Sequence, residues 1–449
     1  MTHVCRGWRE LLIARPSLWT YLDCMNADKA SVYVKRSKSS PLRVIVYKDR
    51  DTAYLEDAFL SIVPHISRLK SLTFGGRTNI LKTLTPHISC HIPLLRELKI
   101  ILSCKPTPVL EGTLFNGDLS SLRTLCLAGI ITHLPWKNLS ELTTLTLSRI
   151  PTDEIFITRL LDFFVNAHRL KDITLIRSIP TSSNTPPGRV VSIPCLETLA
   201  IEADVAHSIL LNHLSIPVGT SLLQKFAFHG DKSPLPDFLP QTLGNLKNVS
   251  SITSVSLYFE KNEKRVRLDG PSGGLRMLGR PIEQDEPIHR SILDSQIIQS
   301  LAPFVHSGIQ TLAITEYKPL IRNKVDESTP YRLLHMENLR ILTLTRCDTL
   351  PFILALNPGQ NASKLALCPK LRGLILYVQD LKSLNIKELT TMAKERASAG
   401  KKLSSITIVS LGKPIPGAKV FELKEYVTRV DYRVGEKPPR WDAVPGEDD

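Results

Sequence analysis

The amino-acid sequence predicts an α/β solenoid, in which short strand–helix units stack side by side. Three observations support this fold class. An apolar spacing of three and then two residues returns about thirteen times. The intervals between copies suit one strand and one helix each. The 449-residue chain is 42% hydrophobic and 22% charged, which is typical of a folded protein, and it has no apolar run of membrane-helix length.

Each copy of the spacing reads apolar–x–x–apolar–x–apolar, as in Leu122, Leu125 and Leu127. The last two apolar residues are two apart, so on a strand they point to the same face and into the core. The copies follow one another at 20 to 29 residues as far as Ile252, then at 57, 30, 32 and 32. Their first residues are Leu42, Leu69, Leu95, Leu122, Leu142, Leu170, Leu196, Leu223, Ile252, Ile309, Leu339, Leu371 and Leu403.

Two of the segments between copies predict helices. Residues 152–168 carry apolar side chains at i, i+4 and i+8, and residues 386–399 repeat this design before Gly400, which can end a helix. One strand and one helix cannot bury their apolar faces alone, so neighbouring units must stack. An eight-fold barrel is the rival interpretation, but thirteen strands exceed eight and barrel strands lack the fixed spacing.

The spacing is typical of leucine-rich repeats. Those repeats carry Asn or Cys three residues after the last apolar strand residue, and here only Cys347 matches clearly. Arg77, Ile130, Ile150 and Ser178 stand at that position in other copies. We therefore expect irregular repeats, with variable turns and uneven curvature.

The doubled interval after Ile252 contains an insertion at residues 259–290, which are polar, rich in Gly and Pro, and charged with both signs. This composition predicts a surface loop, with a hairpin turn at Asp269-Gly270. The predicted domain organisation is a helical N-terminal segment (1–24), a linker (25–41), the solenoid (42–412) and a C-terminal cap and tail (413–449).

The first residues read THVCRGWRELLIARPSLWTYLD. This segment resembles the second half of an F-box domain, in the form common in fungal F-box proteins with leucine-rich repeats. Residues 32–47 and 421–447 are similar to the segments that follow the F-box and end such proteins. The resemblance implies a substrate receptor of an SCF-type ubiquitin ligase, with a Skp-type adaptor bound at the N-terminus and a protein client bound by the solenoid. The adaptor-binding residues it implies are Val4, Trp8, Leu12, Pro16, Leu18 and Trp19.

The resemblance begins inside the F-box, because the Leu-Pro-type turn and first helix have no counterpart after Met1. We therefore expect this N-terminally truncated segment to bind the adaptor weakly or not at all. In the alternative interpretation, the apolar residues of this segment cap the first repeat and keep its apolar edge from water; they are Trp8, Leu11, Leu12, Leu18 and Trp19.

The residues that alternate with the core apolars should line the concave sheet face. In the twelve clear copies only Glu97, Lys99, Asp172, Glu202 and Lys225 are charged at these positions, so the face is near neutral. We expect it to bind the client, with the insertion folding over it. The candidate client-binding residues are Thr146, Thr174, Tyr258, Thr343 and Tyr377.

The net charge, 57 − 43 = +14, raises nucleic acid as a partner, and the near-neutral face disfavours it. One possible group of metal ligands is His87, Cys90 and His91, but the sequence has no second set of ligands to complete a zinc site. The sequence also contains no nucleophile motif and no phosphate-binding loop. No enzyme, cofactor or metal is expected. Eight cysteines without paired spacing fit reduced thiols in the cytoplasm or nucleus.

A free-standing repeat scaffold without a ligase role is the second functional hypothesis.

Overall fold

The structure, a computed structural model, divides the chain into two compact units, Met1–Pro217 and Val218–Asp449. The residues it describes are 5–24, 27–47, 54–76, 91–103, 107–113, 119–133, 139–150, 156–179, 188–203, 208–228, 243–260, 263–271, 273–281, 308–316, 336–360, 367–379, 384–412 and 422–435.

The first unit contains eight strands that pair in parallel, in the order β1-β2-β3-β4-β6-β8-β9-β11. These are β1 (Tyr21–Asp23), β2 (Leu42–Tyr47), β3 (Leu69–Gly76), β4 (Glu97–Leu102), β6 (Thr124–Ala128), β8 (Thr144–Ser148), β9 (Asp172–Ile176) and β11 (Thr198–Ala203). Two small parallel pairs join β5 (Val109–Thr113) to β7 (Ile131–His133) and β10 (Val191–Ser192) to β12 (Leu214–Ser215).

The described helices of this unit lie before or between the strands. They are α1 (Arg6–Ile13), α2 (Ala27–Arg36), α3 (Tyr54–Leu60), α4 (Phe156–Asn166) and α5 (Ser208–Leu211), with 3-10 turns at Pro16–Trp19 and Val63–Arg68. The α4 helix confirms the helix expected between residues 152 and 168, of which residues 151–155 lie outside the described residues.

The second unit contains nine strands in the order β13-β16-β15-β14-β17-β18-β19-β20-β21. They are β13 (Ser221–Phe228), β14 (Ser254–Glu260), β15 (Glu263–Gly270), β16 (Gly273–Pro281), β17 (Thr311–Thr315), β18 (Ile341–Thr345), β19 (Gly373–Val378), β20 (Ser405–Ser410) and β21 (Arg429–Val434). Its helices are α6 (Leu350–Leu356), α7 (Ile386–Ser398) and α8 (Leu423–Tyr426), with 3-10 turns at Lys247–Val249 and Pro358–Gln360.

The fold is therefore α/β with a mostly parallel sheet. The described strands do not close into a barrel, so the rival interpretation, an eight-fold barrel, is wrong. A strand lies at each of the thirteen predicted copies. In eleven of them all three apolar residues are buried, the exceptions being the copies at β2 and β13. The α7 helix also matches its prediction: the Asn385 side chain accepts a hydrogen bond from the Glu388 N–H at its start, and Gly400 follows its end with a φ of +71°.

The first copy has a different register from the one predicted. Leu42, Val44 and Val46 are buried, whereas Tyr47, predicted to face the core, is exposed. The segment LRVIVY carries two or more apolar residues on each face, so spacing alone does not decide which face is inward. In β13 the predicted core residue Phe226 is buried, but Leu223 is only half-buried, and Leu222 and Gln224 are buried on either side of it.

The insertion at 259–290 is not a surface loop over its described part. Its residues form β15 and β16, which pair antiparallel with each other and fit between β13 and β14. The turn lies between Gly270 and Gly273, close to the predicted position. Alternating apolar residues on β15 and β16 fill the core below, and this burial holds the strands in the sheet. The buried residues are Val266, Leu268, Leu275 and Met277.

Two terminal segments contain more structure than predicted. The linker at 25–41 holds α2, whose Ala30 and Val34 are buried. The C-terminal segment extends the sheet, because β21 pairs in parallel with β20. The rest of the predicted cap and tail, 413–421 and 436–449, lies outside the described residues.

Two side chains at the position of the repeat's Asn or Cys make hydrogen bonds across the turns, the predicted match Cys347 and the departure Ser178. The Ser178 hydroxyl accepts a hydrogen bond from the Ile150 N–H (3.1 Å) and donates one to the Ile176 carbonyl (2.9 Å). The Cys347 thiol lies 3.3 Å from the carbonyl oxygens of Ile314 and Thr345. Each residue thus links its own turn to the preceding strand unit, as a buried polar group must be satisfied.

Candidate functional site

The N-terminal helix α1 carries large apolar side chains that the described residues do not cover. No residue of α1 is buried. Trp8 is 61% exposed and Leu11 is 50% exposed, and Leu18 on the following turn is 52% exposed. Large apolar side chains clustered on a surface mark interaction sites more often than scattered ones do. We call Trp8, Leu11 and Leu18 the N-terminal apolar surface.

Trp19 belongs to the core and not to this surface, which corrects its predicted adaptor contact. It is buried, and its ring meets Tyr33 of α2 edge to face, with the ring centroids 5.0 Å apart. The guanidinium of Arg36 lies 4.4 Å from the Trp19 centroid, and the indole Nε1–H donates to the Leu12 carbonyl at 2.9 Å. Trp19 therefore fixes α1 and its turn on α2.

The other predicted adaptor contacts differ in exposure. Leu12 and Pro16 are half-buried. Val4 lies outside the described residues. The structure therefore leaves Trp8 and Leu18 fully available among the predicted contacts, and it adds Leu11.

The second candidate surface is the side of each sheet on which half-exposed residues alternate with the buried ones, here called the open face. In the first unit Thr146 and Thr174 are direct neighbours on β8 and β9, and both are half-buried. They continue a row in which Lys99 on β4 and Cys126 on β6 are also paired. The structure thus brings these two predicted client-binding residues together.

In the second unit Tyr258, Thr343 and Tyr377 lie half-buried on the open face. Tyr258 and Tyr377 share one row, separated by Thr315 and Thr345 on β17 and β18. Three strand spacings put their backbones on the order of 14 Å apart. Thr343 lies one row below. The expected lid over Tyr258 is wrong for residues 263–281, because these residues form strands beside β14 in the same sheet.

The inserted strands add charge to this open face that the repeat positions did not include. Arg265 and Arg267 on β15 and Arg276 on β16 alternate with buried apolar residues and therefore face the open side. Asp269 on β15 alternates in the same way and lies 2.6 Å from Arg267 Nε, so the inserted strands add charges of both signs to the open face. The period-two alternation around Val266 and Leu275 is the sequence signal that would have placed these residues on strands.

The arrangement of the described thiols, histidines and acidic groups bears on a metal site, and burial shifts the pKa of two of the thiols. No group of three or more His, Cys, Asp or Glu residues in the described ranges has the arrangement of a metal site. Within the predicted His/Cys cluster only His91 is described, and it is exposed. Burial raises the pKa of Cys126, against the opposing charge of Lys99, and raises the pKa of Cys368 to about 12. These two thiols are therefore held in the protonated, unreactive form.

Among the described helices none is long and apolar enough to cross a membrane. The chain matches no protein-family model, and no curated protein is significantly similar to it in sequence.

Proposed function

We propose that this chain is a non-catalytic protein-recognition module of the F-box and leucine-rich-repeat type, acting in the cytoplasm or nucleus. In this proposal the strand–helix units form an irregular leucine-rich-repeat solenoid. The N-terminal apolar surface binds a Skp-type adaptor of a cullin ubiquitin ligase, and the open face of the sheets binds a protein client. The proposal rests on the resemblance of the N-terminal segment and on the exposure of α1.

The exposure of Trp8 is the observation that carries the adaptor role. A helix that only capped the first strand unit would turn its largest apolar side chain inward, yet Trp8 is 61% exposed while Trp19, eleven residues on, is buried. Tryptophan is enriched among the residues that dominate binding energy, and an amphipathic helix is a common element for docking into a groove. The Trp19 anchor holds α1 in place without using Trp8.

The test is a calorimetric titration of the purified chain with a purified Skp-type adaptor. We expect weak, micromolar-range binding, because one short helix and a turn supply a small interface. Trp8→Ala should weaken it by about tenfold or more, since truncation of a tryptophan anchor costs about 2 kcal/mol. Val165→Ala on α4, which removes a side chain 47% exposed on the same unit, is the matched control and should bind normally.

An adaptor that binds wild type and Trp8→Ala equally would refute this role for α1. So would equal weakening by Val165→Ala, which would indicate a general effect on the unit. If neither variant nor wild type bound the adaptor, the free-standing scaffold would remain, because the open faces do not depend on α1.

A further inference from the structure

A row of basic side chains follows the edge of the first unit at which its parallel strands begin. Lys70, Arg96 and Arg123 hold the same place in three successive strand units. The Arg96 N–H donates to the Lys70 carbonyl (2.9 Å), and the Arg123 N–H donates to the Arg96 carbonyl (2.8 Å). Neighbouring strands are about 4.8 Å apart, so the three backbone positions lie within about 10 Å. We call these three residues the basic row.

The folded chain leaves the side chains of the basic row unpaired. Arg96 and Arg123 are exposed, and Lys70 is half-buried. None of the three side chains makes a hydrogen bond or an ion pair within the described part of the chain. Three cations held side by side repel one another, and anionic groups of a partner would relieve this repulsion.

The described acidic residues near the basic row do not cancel its charge. On β2, β3, β4 and β6 the only acidic residue is Glu97, whose carboxylate accepts a hydrogen bond from the Ser71 hydroxyl (2.9 Å). Lys99, two residues further on the same side of β4, offsets the charge of Glu97. In the next turn the Glu141 carboxylate is already paired, 2.5 Å from Arg169 Nη1. The other acidic residues at open-face positions of the described strands lie two or more strands away from the row: Asp23 on β1, Asp172 on β9 and Glu202 on β11.

At the opposite edge of the same strands, where they end, the open face is apolar. Tyr47 on β2 and Ile101 on β4 are exposed, and Gly75 on β3 is the residue between them in the sheet. A Cβ at Gly75 would clash with the Tyr47 ring, so the ring lies over the glycine, on the side of β2 that faces Ile101. Tyr47 and Ile101 therefore form one exposed apolar surface, here called the apolar pair, and such surfaces mark interaction sites.

The distance between the basic row and the apolar pair suits a short extended peptide. Arg96 and Ile101 are five residues apart on one strand, which corresponds to roughly 16 Å. A peptide of six residues in extended conformation covers the same length. Between the two surfaces the open face holds Thr73 and Cys126, which are short and half-buried, so a peptide backbone can approach the sheet there.

We propose that this part of the open face binds an extended segment of a protein client, with acidic residues at one end of the segment and a large apolar residue at the other. The carboxylates pair with the basic row, and the apolar side chain contacts Tyr47 and Ile101. Thr146 and Thr174 continue the row of Cys126 on β8 and β9, so a longer client can extend across these residues. The inference deepens the proposed function by giving the chemistry of the client, and it rests on that function.

The change from basic to apolar across the strands favours a peptide over nucleic acid. Proteins that bind nucleic acid through its backbone contact about six to ten phosphates along a basic track. The basic row offers three cations and is followed by Thr143 and by Lys171, which is paired with Glu197 (2.6 Å). A nucleic acid is charged along its whole length, whereas a peptide can be acidic at one end and apolar at the other.

The probes for the test are labelled six-residue peptides, capped at both ends, whose binding to the full chain is measured by fluorescence anisotropy. The parent peptide has two Glu, three small residues and one Leu, and it is made in both orders because either chain direction presents the same side chains. In three further peptides Gln replaces both Glu, Ala replaces Leu, or the three small residues are removed.

Each of these changes should weaken binding by about fivefold or more, because it removes the ion pairs, the apolar contact or the required length. Added salt should weaken the parent peptide and leave the Gln peptide nearly unchanged, since salt screens exposed charges. Equal binding of the parent peptide and the Gln peptide, or of the parent peptide and the Ala peptide, would overturn the proposal.

The variant Arg96→Ala/Arg123→Ala should weaken the parent peptide by about fivefold or more and change binding of the Gln peptide little. The matched control, Arg340→Ala/Arg372→Ala, removes two exposed arginines from the same place in the second unit, where the Arg372 N–H donates to the Arg340 carbonyl (2.8 Å). The control should bind the parent peptide as wild type does. Equal weakening by the two double variants would refute a role for the basic row.

The apolar pair has its own matched variants. Ile101→Ala should weaken the parent peptide by about threefold or more, because it removes buried apolar contact area from the complex. Ile341→Ala is the control, since Ile341 also stands at an open-face position of a strand and is 39% exposed, against 37% for Ile101. A loss of affinity in both isoleucine variants, or in neither, would count against the apolar pair.

Two further measurements separate this inference from its alternatives. A single-stranded RNA that binds more tightly than the parent peptide, and whose binding is lost in Arg96→Ala/Arg123→Ala, would overturn the peptide partner in favour of nucleic acid. Trp8→Ala should keep full peptide affinity, so failure of adaptor binding leaves this inference standing. A chain that binds the adaptor but none of the peptides would overturn this inference and leave the adaptor role intact.

Discussion

Glu316 and Arg346 form an ion pair across two neighbouring turns, with Oε1 of Glu316 3.1 Å from Nη1 of Arg346. Each residue directly follows a strand, and each has a positive φ, 58° and 54°. The Glu316 N–H donates to the Thr345 carbonyl (2.8 Å) and the Arg346 N–H donates to the Tyr377 carbonyl (2.9 Å). The left-handed turn thus continues the backbone hydrogen bonds beyond the strand end, which compensates for the strain of about 1–2 kcal/mol that it costs an L-residue.

The same turn recurs in the first unit, where we expect substitutions at two neighbouring sites to differ in their effect on stability. Gly129 and Arg149 both follow strands and have φ values of 64° and 51°. A Cβ added at Gly129 would clash with the Leu102 carbonyl oxygen. We expect Gly129→Ala to lower the free energy of unfolding by at least about 2 kcal/mol, because the strain and the backbone clash add.

Arg149→Gly is the matched change and should alter the free energy of unfolding by less than about 1 kcal/mol. Relief of the left-handed strain and the added entropy of the unfolded chain oppose each other. Urea unfolding of both variants measures this difference. Similar losses of unfolding free energy for the two variants would mean that the clash with the Leu102 carbonyl does not destabilise Gly129→Ala.

Arg396 is predicted to be indispensable for the second unit, although it has no carboxylate partner among the described residues. Its side chain is fully buried, and its guanidinium donates to the carbonyls of Leu356, Leu367 and Cys368. Burial lowers its pKa. Arg396→Met keeps the apolar volume but leaves three carbonyls unpaired, each costing about 1–3 kcal/mol.

We therefore expect Arg396→Met to lower the free energy of unfolding by several kcal/mol, or to prevent folding of the unit. Arg372→Met, at an exposed position of the same unit, is the control and should change stability by less than about 0.5 kcal/mol. Circular dichroism during chemical denaturation compares the two. A stable Arg396→Met protein would show that water satisfies the three carbonyls.

Leu125 should be among the most sensitive apolar positions of the first unit. It is fully buried on β6, between Leu98 on β4 and Leu145 on β8. Leu125→Ala should cost about 2–5 kcal/mol, the range for leucine truncation in a packed core. Leu94→Ala removes an exposed leucine and serves as the control. A loss below about 1 kcal/mol at Leu125 would contradict the strand positions assigned by the apolar spacing.

The buried thiols predict a loss of stability at high pH. Burial and the nearby Asp23 charge raise the pKa of Cys24 from 9.0 to about 12. The folded chain therefore holds a proton on Cys24 that the unfolded chain releases between these values. By linkage, this contribution to the free energy of unfolding is fully present below pH 9 and falls as the pH rises from about 9 to about 12.

Cys24→Ala should accordingly show a shallower loss of stability over that range than wild type does. Cys5→Ala, which removes an exposed thiol, should follow the wild-type curve. Urea midpoints at several pH values provide the comparison. Indistinguishable slopes for Cys24→Ala and wild type would show that the Cys24 thiol ionises normally in the folded chain.

Strand positions followed from the sequence because their cause is local. The spacing of Leu142, Leu145 and Leu147 lets only one face of a strand be apolar, so strand and core were both fixed by it. At Leu42–Tyr47 both faces are apolar, and only packing against β1 and β3 selected the buried one.

The candidate surfaces were predicted in part for the same reason. The apolar residues of α1 were recognisable from the sequence, but the burial of Trp19 required α2, which supplies Tyr33 and Arg36. The charges of the inserted strands were not placed on the open face, because β16 joins the sheet only by pairing with β13, about 50 residues away in the chain.

The sequence by itself determined the repeating strand–helix pattern, most of the core and the exposed helix at the N-terminus, because periodic apolar spacing acts over a few residues. Tertiary structure decided which residues meet from distant segments. Arg396 finds carbonyls 28 to 40 residues away, and β15 and β16 enter the sheet between strands that follow each other in the repeat. Such contacts depend on how the whole unit packs. A buried polar group needs a hydrogen-bond partner, and any suitable group can be that partner, however far away it lies in the sequence.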